Sequence, residues 1–459
     1  MGFFRSKQSG EASSLCKTLL IGGKAGQGIK SAGKIIASTL LSLEFNVNMY
    51  DEYTSLIRGG HNSVSVTFSK HPVYSANKEI DFLLCLDENT LIQHKDKLNA
   101  NSIVIYDNSI FSIAEKEAKD YPCEFIPIEA EHILNQGHLP SYCKNIVYAT
   151  AGLIAIGIEK DILTKAVEKI LGKKQEKLAY NIKAINDTYA RHQEIFNIRP
   201  LEKKEVNKIL QKRYFMNGNE AAGIGAIEAG IGFYSAYPMT PASSLLDFMF
   251  KQYKKYNFIV KQTEDDIAAI NMAIGASFAG TRAMVGTSGG GFSLMVEGLG
   301  LAAITETPLV IYLSQRPGPA TGMATWTGQT DLLFVLHASQ DEFPRIILTP
   351  TDQEEVREMT FLAFNLAEKY QIPVFILVDK YLSETYSTLE FSSTSIKKIN
   401  RGMILSNRAL ARLEDFKRYE FTDSGISPRS MPGQINGTHV ANSEEGDEYG
   451  FSDESSVNR

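Results

Sequence analysis

The feature that most constrains this 459-residue chain is a regular alternation of strand-like and helix-like patterns through its second half. Short apolar runs bounded by turn residues indicate buried strands, and the helical patterns between them are long enough to cross back over a sheet. This alternation predicts a parallel, doubly wound sheet, which binds ligands beside the carboxyl ends of its strands. The predicted strands are 232–236, 258–261, 283–286, 309–313, 345–348 and 374–378, and the predicted helices are 221–229, 265–279, 292–304 and 354–369.

The first half of the chain predicts a separate α/β domain. It opens with an apolar strand at 18–21, a glycine-rich turn at 22–28 and a helical pattern that runs into Leu43. Strand patterns recur at 63–68, 82–86 and 103–106, and helical patterns extend from about 145 to 189. We therefore expect a tail at 1–16, a first α/β domain at 17–190, a charged linker at 191–216, a second α/β domain at 217–395 and an irregular C-terminal connector at 396–459.

Composition and charge exclude several classes of protein. The formal net charge is −6, the pI is about 5.9 and no arginine-rich block is present, so we expect no nucleic-acid partner. The longest strongly apolar stretch, 146–158, is shorter than the roughly 20 residues that a membrane-spanning helix requires. Polar residues occupy the place of a secretory signal. We expect a cytoplasmic protein with no membrane partner.

The four cysteines, Cys16, Cys85, Cys123 and Cys143, are dispersed and form no Cys-x-x-Cys motif. An iron–sulfur cluster requires about four thiolates at one place, so this pattern favours ordinary reduced cysteines and no metal site on this chain. If the protein takes part in electron transfer, the cluster must belong to another chain.

The turn Gly22-Gly23-Lys24-Ala25-Gly26-Gln27-Gly28 suggests nucleotide binding, because glycines let backbone N–H groups approach a phosphate at a helix N-terminus. A dinucleotide motif from Gly26 requires glycine where Ser31 stands, and a P-loop from Gly28 requires Ser or Thr where Ile35 stands. The sequence therefore supports neither NAD nor ATP. An anion-binding turn and a merely tight strand-to-helix connection are both left open.

The loop Tyr237-Pro238-Met239-Thr240-Pro241 follows the predicted strand 232–236. Its prolines favour extended conformations before them, which would fix the Thr240 hydroxyl in one orientation. The alternative is structural, because Pro241 and the two serines after it can simply start the next helix. On this segment alone the structural alternative is favoured.

Two further strand ends carry charged residues. Gln262-Thr263-Glu264-Asp265-Asp266 opens a predicted helix, whose macrodipole accounts for at least two of the carboxylates and leaves one for chemistry. Arg316 follows the strand 309–313, where a guanidinium can hold a carboxylate through two bonds, although a surface arginine is the usual alternative. Three strand ends of one sheet thus offer a hydroxyl, a carboxylate and a guanidinium to one crevice.

Small residues lie between these elements, in the turn Thr287-Ser288-Gly289-Gly290-Gly291. They leave room for whatever occupies the crevice. Trp326 and Asp331 stand in or after the long loop beyond Arg316, and the sequence assigns neither a role.

Together and in this order, the motifs resemble the α subunit of 2-oxoacid:ferredoxin oxidoreductases. Residues 17–190 resemble the γ domain of that family, with its glycine turn at 22–28 and its Arg-Gly-Gly element at Arg58-Gly59-Gly60. The resemblance covers about 18 to 450. The matching elements of the α part are Tyr237-Pro-Met-Thr-Pro, Gln262-Thr-Glu-Asp-Asp, Ser288-Gly-Gly-Gly-Phe292 with Glu297, Gln315-Arg316 with Gly318-Pro319, and Gly328-Gln329 with Asp331.

The resemblance implies that residues 217–395 form the pyrimidine-side domain of a thiamine-diphosphate site. It gives Glu264 the catalytic hydrogen bond to the aminopyrimidine N1′ and places Tyr237 and Pro238 beside the cofactor. It gives the 2-oxoacid substrate to Thr240 and Arg316, with Arg316 on the C1 carboxylate. It also implies that Gly26 and Gly28, in the γ-domain turn, help to hold coenzyme A as co-substrate.

The resemblance further implies a partner, the β subunit. This chain has no Gly-Asp-Gly motif followed by Asn for a diphosphate and Mg²⁺, and no cysteine set for a cluster. The family carries both on β, so we expect Mg²⁺ and a [4Fe-4S] cluster there, thiamine diphosphate shared between the subunits, and activity only in the complex. Gly446 stands where the family has histidine, and related chains continue beyond residue 459, so this one is expected to be shortened.

The implied reaction converts a 2-oxoacid, coenzyme A and oxidised ferredoxin into acyl-coenzyme A, carbon dioxide and reduced ferredoxin. The fused γ/α arrangement favours 2-oxoglutarate, and pyruvate or a branched-chain 2-oxoacid is the alternative. Two other classes are left open. A non-catalytic scaffold or binding subunit would fail to activate a β subunit, and a nucleotide-binding protein would bind NAD or ATP.

Overall fold

The computed structural model describes residues 16–54, 60–114, 118–172, 175–192, 213–390 and 398–458. The chain divides into two compact units. The first contains Met1–Phe215 with Thr385–Glu390, and the second contains Met216–Glu384 with Phe391–Arg459. Both units are α/β and the second is built on a parallel sheet, so the predicted fold class is confirmed. No helix among the described residues is long and apolar enough to cross a membrane.

The first half mixes strands and helices, and its first strand continues through Gly22 and Gly23 to Lys24, so the glycine turn expected at 22–28 is confined to 25–28. The strands are β1 (Lys17–Lys24), β2 (Asn46–Glu52), β3 (His61–Ser69), β4 (Phe82–Cys85), β5 (Ser102–Asp107), β6 (Cys123–Ile128) and β7 (Arg213–Met216). The helices are α1 (Ile29–Ser42), α2 (Glu88–His94), α3 (Ala130–Gln136), α4 (Lys144–Ile156), α5 (Lys160–Leu171) and α6 (Gln175–His192).

In the second half, strands and helices alternate until the chain becomes irregular near its end. The strands are β8 (Phe233–Ala236), β9 (Ile259–Gln262), β10 (Ala283–Thr287), β11 (Leu309–Gln315), β12 (Ile346–Leu348), β13 (Pro373–Asp379) and β14 (Tyr386–Glu390). The helices are α7 (Gly218–Glu228), α8 (Ser243–Tyr256), α9 (Asp266–Phe278), α10 (Gly289–Ile304), α11 (Leu332–His337), α12 (Gln353–Tyr370), α13 (Lys380–Glu384) and α14 (Asn407–Leu410).

The sheet of the first unit has the order β6-β5-β4-β1-β3-β2-β14-β7. Strands β1, β4, β5 and β6 are parallel neighbours, whereas β3 pairs antiparallel with β1 and β2. Strand β14 joins antiparallel to β2, and there Asn48 Nδ2 donates to Ser387 Oγ at 2.9 Å. Its residues lie inside the range expected for the second domain, yet they add a strand to the first sheet. The sequence analysis missed β2 because Asn46 and Asn48 interrupt its apolar pattern.

The sheet of the second unit has the order β12-β13-β11-β10-β8-β9, and every neighbouring pair is parallel. Each of its strands lies within two residues of the predicted bounds, so the doubly wound parallel sheet is confirmed. Helix α10 begins three residues earlier than predicted, because Gly289, Gly290 and Gly291 form its first turn and not a separate connection.

Local sequence signals set the helix starts in this unit. Asn217 accepts a hydrogen bond from the Glu220 N–H at 2.8 Å, while the Glu220 carboxylate accepts from the Asn217 N–H at 3.4 Å, which is a capping box. Asp265 caps α9 and Asp352 caps α12 through the first of these bonds alone, in which the side chain accepts from a backbone N–H of the first turn. These caps direct each helix away from the carboxyl ends of the strands.

The core of the second unit is packed around β11, which is buried along its whole length. Phe292 of α10 packs edge-on against Phe375 of β13, with ring centroids 5.4 Å apart, and Ile270 and Leu299 join the same cluster. Each such side chain contributes about 1.5–3 kcal/mol on burial. This core holds the strand ends, and therefore the loops after them, at fixed spacings.

The irregular segment after residue 397 is anchored by a buried charge cluster around Glu368 of α12. Glu368 lies 2.8 Å from both Arg282 Nε and Arg401 Nε, and 3.5 Å from Arg429 Nη2. Arg418 of the same segment forms an ion pair with Glu306 at 2.9 Å. The described part of this segment is therefore held against its unit by ion pairs more than by regular structure.

Candidate functional site

The carboxyl ends of four neighbouring strands, β11, β10, β8 and β9, meet at one edge of the second sheet. The chain passes from β8 to β9 on one side and then to β10 on the other side of β8. The strand order therefore reverses between β8 and β10. Crevices at such a switch point are where open parallel α/β sheets bind ligands.

Arg316 follows β11 and points across the end of β10 to the loop after β8. Its side chain is buried, with 8% of the residue exposed, and Nη1 donates to the Thr240 carbonyl oxygen at 2.6 Å. Nε and Nη2 donate to no residue that the structure describes, and Nε is buried. The guanidinium is thus fixed at one nitrogen while its side-on edge, the edge that can hold a carboxylate through two bonds, is left for a ligand.

Thr240 belongs to a loop whose backbone is held by a side chain of α7. The Thr240–Pro241 peptide bond is cis, and the buried Asn219 of α7 donates from Nδ2 to the Pro241 carbonyl at 2.9 Å. Asn219 Oδ1 accepts from the Tyr312 hydroxyl at 2.8 Å. The contact with Arg316 therefore uses the carbonyl of Thr240, whereas the sequence analysis considered only its hydroxyl.

Tyr237 and Pro238, which were expected beside a cofactor, open the same loop. Both are exposed, Tyr237 to 39%. Helix α8 then starts at Ser243, and Ser244 Oγ accepts from Asn219 Nδ2 at 2.6 Å. The helix start expected from the serines is therefore observed at Ser243, while the role of Tyr237 and Pro238 beside a cofactor stays a prediction.

The three acidic residues after β9 have different surroundings. Asp265 accepts from the Ala268 N–H at 2.7 Å as the cap of α9. Asp266 is buried and accepts from Thr287 Oγ1 at 2.8 Å, and burial raises its pKa although that hydrogen bond lowers it. Glu264 is exposed and makes no hydrogen bond to any described residue. Glu264 is therefore the carboxylate that remains available to a ligand.

The first turn of α10 lies beside the crevice and tolerates only glycine at two positions. A Cβ added to Gly291 would lie 2.3 Å from Thr287 Oγ1 and 2.5 Å from the Asp266 carboxyl group. A Cβ added to Gly289 would lie 2.5 Å from Asp331 Oδ2. These glycines let the helix start approach two carboxyl groups closely, which larger residues would prevent.

Ser288 and Asp331 are polar residues of this edge that sequence reasoning did not assign. The Ser288 hydroxyl is buried, and no described residue gives it a hydrogen bond. Asp331 Oδ2 is also buried without a partner in the described part of the chain. Burial raises the pKa of Asp331, while Thr330 and the positive charge of Arg316 lower it. Position relative to Arg316 was the signal that could have singled out Asp331.

The glycine turn of the first unit contains the other two predicted site residues, Gly26 and Gly28. Both adopt positive φ, 93° and 77°, and Gly28 caps α1. Asn145 Nδ2 donates to the Gly28 carbonyl at 3.0 Å, which braces the turn from α4. A Cβ at Gly26 would meet no described atom within 4 Å, so its surroundings are open. Arg58 and Gly59 of the Arg-Gly-Gly element lie outside the described residues.

A buried histidine, His94, lies beside this turn with the half-buried His61. His61 Nε2 and His94 Nε2 are 2.9 Å apart, so one ring donates to the other. Burial lowers the pKa of both, and that of His94, which Lys97 and His61 lower further, falls to about 3. Both imidazoles are therefore neutral at physiological pH.

Three of the cysteines have raised thiol pKa values. Burial raises the pKa of Cys85 well above its usual value and raises those of Cys123 and Cys143 to about 11. No group of three or more metal-binding side chains comes together among the described residues.

Both halves of the chain match known families. The family described as "Pyruvate flavodoxin/ferredoxin oxidoreductase, thiamine diP-bdg" matches residues 224–458. The family described as "Pyruvate ferredoxin/flavodoxin oxidoreductase" matches residues 18–191. The first match contains the crevice and the second contains the glycine turn.

Individual relatives cover nearly the whole chain. The chain is 34% identical to the 2-oxoacid:ferredoxin oxidoreductase subunit alpha of Sulfolobus sp over 96% of its own length and 76% of that protein. It is 43% identical to the 2-oxoglutarate synthase subunit KorA of Methanocaldococcus jannaschii over 36% of its length and 45% of that protein. Its fold matches the 2-oxoglutarate:ferredoxin oxidoreductase of Magnetococcus marinus, solved with 2-oxoglutarate, coenzyme A and succinyl-CoA bound. That match has a TM-score of 0.88 at 29% identity and covers 97% of this chain and 76% of that one.

Proposed function

We propose, because this chain belongs to the 2-oxoacid:ferredoxin oxidoreductase family, that it is the fused γ/α subunit of such an enzyme. The enzyme oxidatively decarboxylates a 2-oxoacid, 2-oxoglutarate by preference, transfers the acyl group to coenzyme A and reduces ferredoxin. The observation that carries this proposal is the buried Arg316 guanidinium, held at Nη1 by the Thr240 carbonyl while Nε, on its side-on edge, has no partner among the described residues. That edge matches the two oxygens of a C1 carboxylate.

Thiamine diphosphate fits the residues at this edge. Glu264 offers an exposed carboxylate with no described hydrogen-bond partner, and the glycines of α10 let its first turn lie close against Asp266 and Asp331. Bound there, the cofactor would supply the nucleophilic carbon and the electron sink for decarboxylation. Glu264 would exchange a proton with N1′ of the aminopyrimidine, while Tyr237 and Pro238 would line the ring.

A β subunit would complete the site. The chain has no diphosphate and Mg²⁺ motif, its four cysteines are dispersed, and no group of metal-binding side chains comes together in the described part of the chain, so we assign Mg²⁺ and the [4Fe-4S] cluster to β. Glu264 is exposed in this chain, whereas an acid/base partner works best where water is excluded. The missing cover would therefore come from the partner.

Exposed apolar side chains around the crevice support the same division. Soluble proteins seldom leave many large apolar residues on one face, and such patches mark partner surfaces. We assign this face to β. The exposed residues are Ile267 and Met272 of α9, Leu294 of α10, Met323 and Trp326 of the following loop, and Leu332, Leu333 and Leu336 of α11.

Domain roles follow from this assignment. Residues 17–190 would form the γ-type domain, 191–216 the linker, 217–395 the pyrimidine-side domain, and 396–459 a C-terminal connector. In the γ-type domain, the turn is open at Gly26 and braced at Gly28 by Asn145, and its backbone would accept a phosphate of coenzyme A at the start of α1.

Reconstitution tests the proposal. The chain purified alone should be colourless, iron-free and inactive. Mixed with its cognate β subunit, thiamine diphosphate and Mg²⁺, it should support ferredoxin reduction that requires both 2-oxoglutarate and coenzyme A. Failure to activate β would make the chain a scaffold, and stoichiometric iron and sulfide in the isolated chain would overturn the division between subunits.

A further inference from the structure

We propose that Asp331 partly offsets the positive charge of Arg316, so that the substrate carboxylate is held firmly enough to bind but loosely enough to leave as CO2. This inference rests on the proposed function, because it takes Arg316 as the residue that holds the C1 carboxylate. It assigns a role to a residue for which the sequence analysis found none.

The position of Asp331 is unusual for an aspartate before a helix. It occupies the cap position of α11, yet its side chain accepts no capping hydrogen bond from the described residues. Aspartate is among the preferred caps, so its carboxylate is directed elsewhere at some cost to the helix. Oδ2 instead lies against the first turn of α10, next to Gly289.

The loop that carries Asp331 is fixed to the end of β11 by groups other than the carboxylate. The Asp331 N–H donates to Gln315 Oε1 at 2.9 Å, and Thr330 Oγ1 donates to the Arg316 carbonyl at 3.4 Å. Neither bond uses Oδ2, which is buried without a described partner. The other oxygen, Oδ1, accepts from Thr330 Oγ1 at 3.3 Å, a bond to the neighbouring residue that the amide oxygen of Asn can also accept.

Arg316 and Asp331 influence each other without forming an ion pair among the described residues. The negative charge of Asp331 raises the pKa of Arg316 against the effect of burial, and Arg316 lowers that of Asp331. Nε of the one and Oδ2 of the other are both buried and unpartnered in the described chain. A carboxylate bound at the free edge of Arg316 would feel both charges.

The chemistry of decarboxylation gives this arrangement a purpose. In decarboxylation the C1–C2 bond of the 2-oxoacid would break, C1 would leave as neutral CO2, and the bonding electron pair would stay on C2, where thiamine diphosphate would supply an electron sink. The negative charge therefore moves away from C1 as the bond breaks. An unopposed guanidinium would stabilise the bound carboxylate more than the transition state and would slow the step. A second carboxylate nearby reduces that ground-state stabilisation.

Asp331→Asn in the αβ complex tests the inference, because it removes the charge and keeps the shape. We expect KM for 2-oxoglutarate and kcat both to fall by about tenfold, with kcat/KM changed by less than about threefold, the pattern of lost ground-state strain. Release of CO2 from C1-labelled substrate in a single turnover should slow by the same factor. Asp352→Asn, which removes a charge from the working cap of α12, is the matched control and should change neither constant.

A higher KM with unchanged kcat would make Asp331 a support for Arg316 and would overturn the proposal, as would unchanged constants. Arg316→Ala distinguishes a failure of the proposed function from a failure of the role proposed for Asp331. If it leaves KM unchanged, the proposed function fails first, whereas a raised KM there with no effect of Asp331→Asn sinks the present inference alone.

A pH profile of the wild-type complex keeps the inference testable if Asp331→Asn does not assemble. The charged side chain that acts on Asp331 is Arg316, and Gly289, Gln315 and Thr330, which also contact it, are uncharged. Protonating Asp331 removes its charge as the Asn variant does. KM for 2-oxoglutarate should therefore fall as the pH is lowered toward the raised pKa of Asp331, and a KM that rises or stays level over that range would contradict the proposal.

Discussion

Replacing Arg316 should weaken every 2-oxoacid substrate equally, because all of them share the C1 carboxylate. Arg316→Ala removes two things at once in this structure. It removes the side-on edge proposed to hold the substrate, and it removes the Nη1 donor that holds the Thr240 carbonyl at 2.6 Å. Arg316→Lys keeps one positive charge but cannot serve both partners in a plane.

The magnitude follows from these contacts. A charge-assisted hydrogen bond contributes roughly 1.5–3 kcal/mol, and the Thr240 carbonyl left without its donor adds about 1 kcal/mol. Arg316→Ala should therefore lower kcat/KM by about two orders of magnitude, and Arg316→Lys by about one. Thiamine diphosphate affinity should fall less than kcat/KM, because Tyr312 still holds the Thr240 loop through Asn219.

The assay measures kcat/KM for 2-oxoglutarate, pyruvate and 2-oxobutyrate in the αβ complex of each variant. Arg345→Lys is the matched control, since Arg345 is also partly buried and donates to two backbone carbonyls, those of Val335 and Ala338. A loss confined to 2-oxoglutarate would move Arg316 from the shared carboxylate to the distal one. A loss equal to that of Arg345→Lys would reduce Arg316 to a structural residue.

Three further predictions concern other residues. Glu264→Gln should slow hydrogen–deuterium exchange at the thiazolium carbon by about two to four orders of magnitude. The control Asp265→Asn, whose side chain can still cap α9, should leave that exchange at the wild-type rate. Equal exchange rates in the two variants would make Glu264 a helix-start carboxylate only. Glu368→Gln should lower the free energy of unfolding, measured by urea titration, by about 3–5 kcal/mol because it removes the carboxylate that pairs with buried Arg282. The control Glu228→Gln, at a more exposed ion pair, should lower the free energy of unfolding by less than about 1 kcal/mol. The His94 pKa of about 3 lies below its unfolded value of about 6.5, so the stability linked to it is complete above pH 6.5. It is lost as the pH falls from there toward 3, by up to about 1.4 kcal/mol per pH unit. His94→Gln should flatten this dependence of the unfolding free energy on pH, and an unchanged slope would assign it to other groups.

The parallel sheet of the second unit could be predicted because most of its strands are short, mainly apolar runs between turn residues. Strand β11, for example, is buried at every position, so its apolar sequence indicates a strand without knowledge of the strands beside it. The capping aspartates Asp265 and Asp352 marked helix starts locally as well. Strand β14 could not be predicted, because its pairing with β2 joins residues about 340 positions apart.

The candidate site was predictable only in part for the same reason. Glu264 and Arg316 stand directly after strands, so topology alone brings them to one edge. Asp331 and Asn219 stand in a loop and at a helix start, where Asp and Asn are common for local reasons. What singles them out is contact with distant residues, Gly289 for the one and Pro241 and Tyr312 for the other.

Strand β11 fixes the Thr240 loop at two points, and this explains how a loop can hold a substrate group in place. Arg316, at the end of the strand, binds the Thr240 carbonyl directly, while Tyr312, four residues earlier, reaches the Pro241 carbonyl through Asn219. Two attachments to one rigid strand fix both the position and the tilt of the loop, whereas one would leave it free to pivot. Because β11 is buried throughout, neither attachment can shift without disturbing the core. The precision of the proposed carboxylate site therefore comes from the register of a central strand, and the loop only displays it.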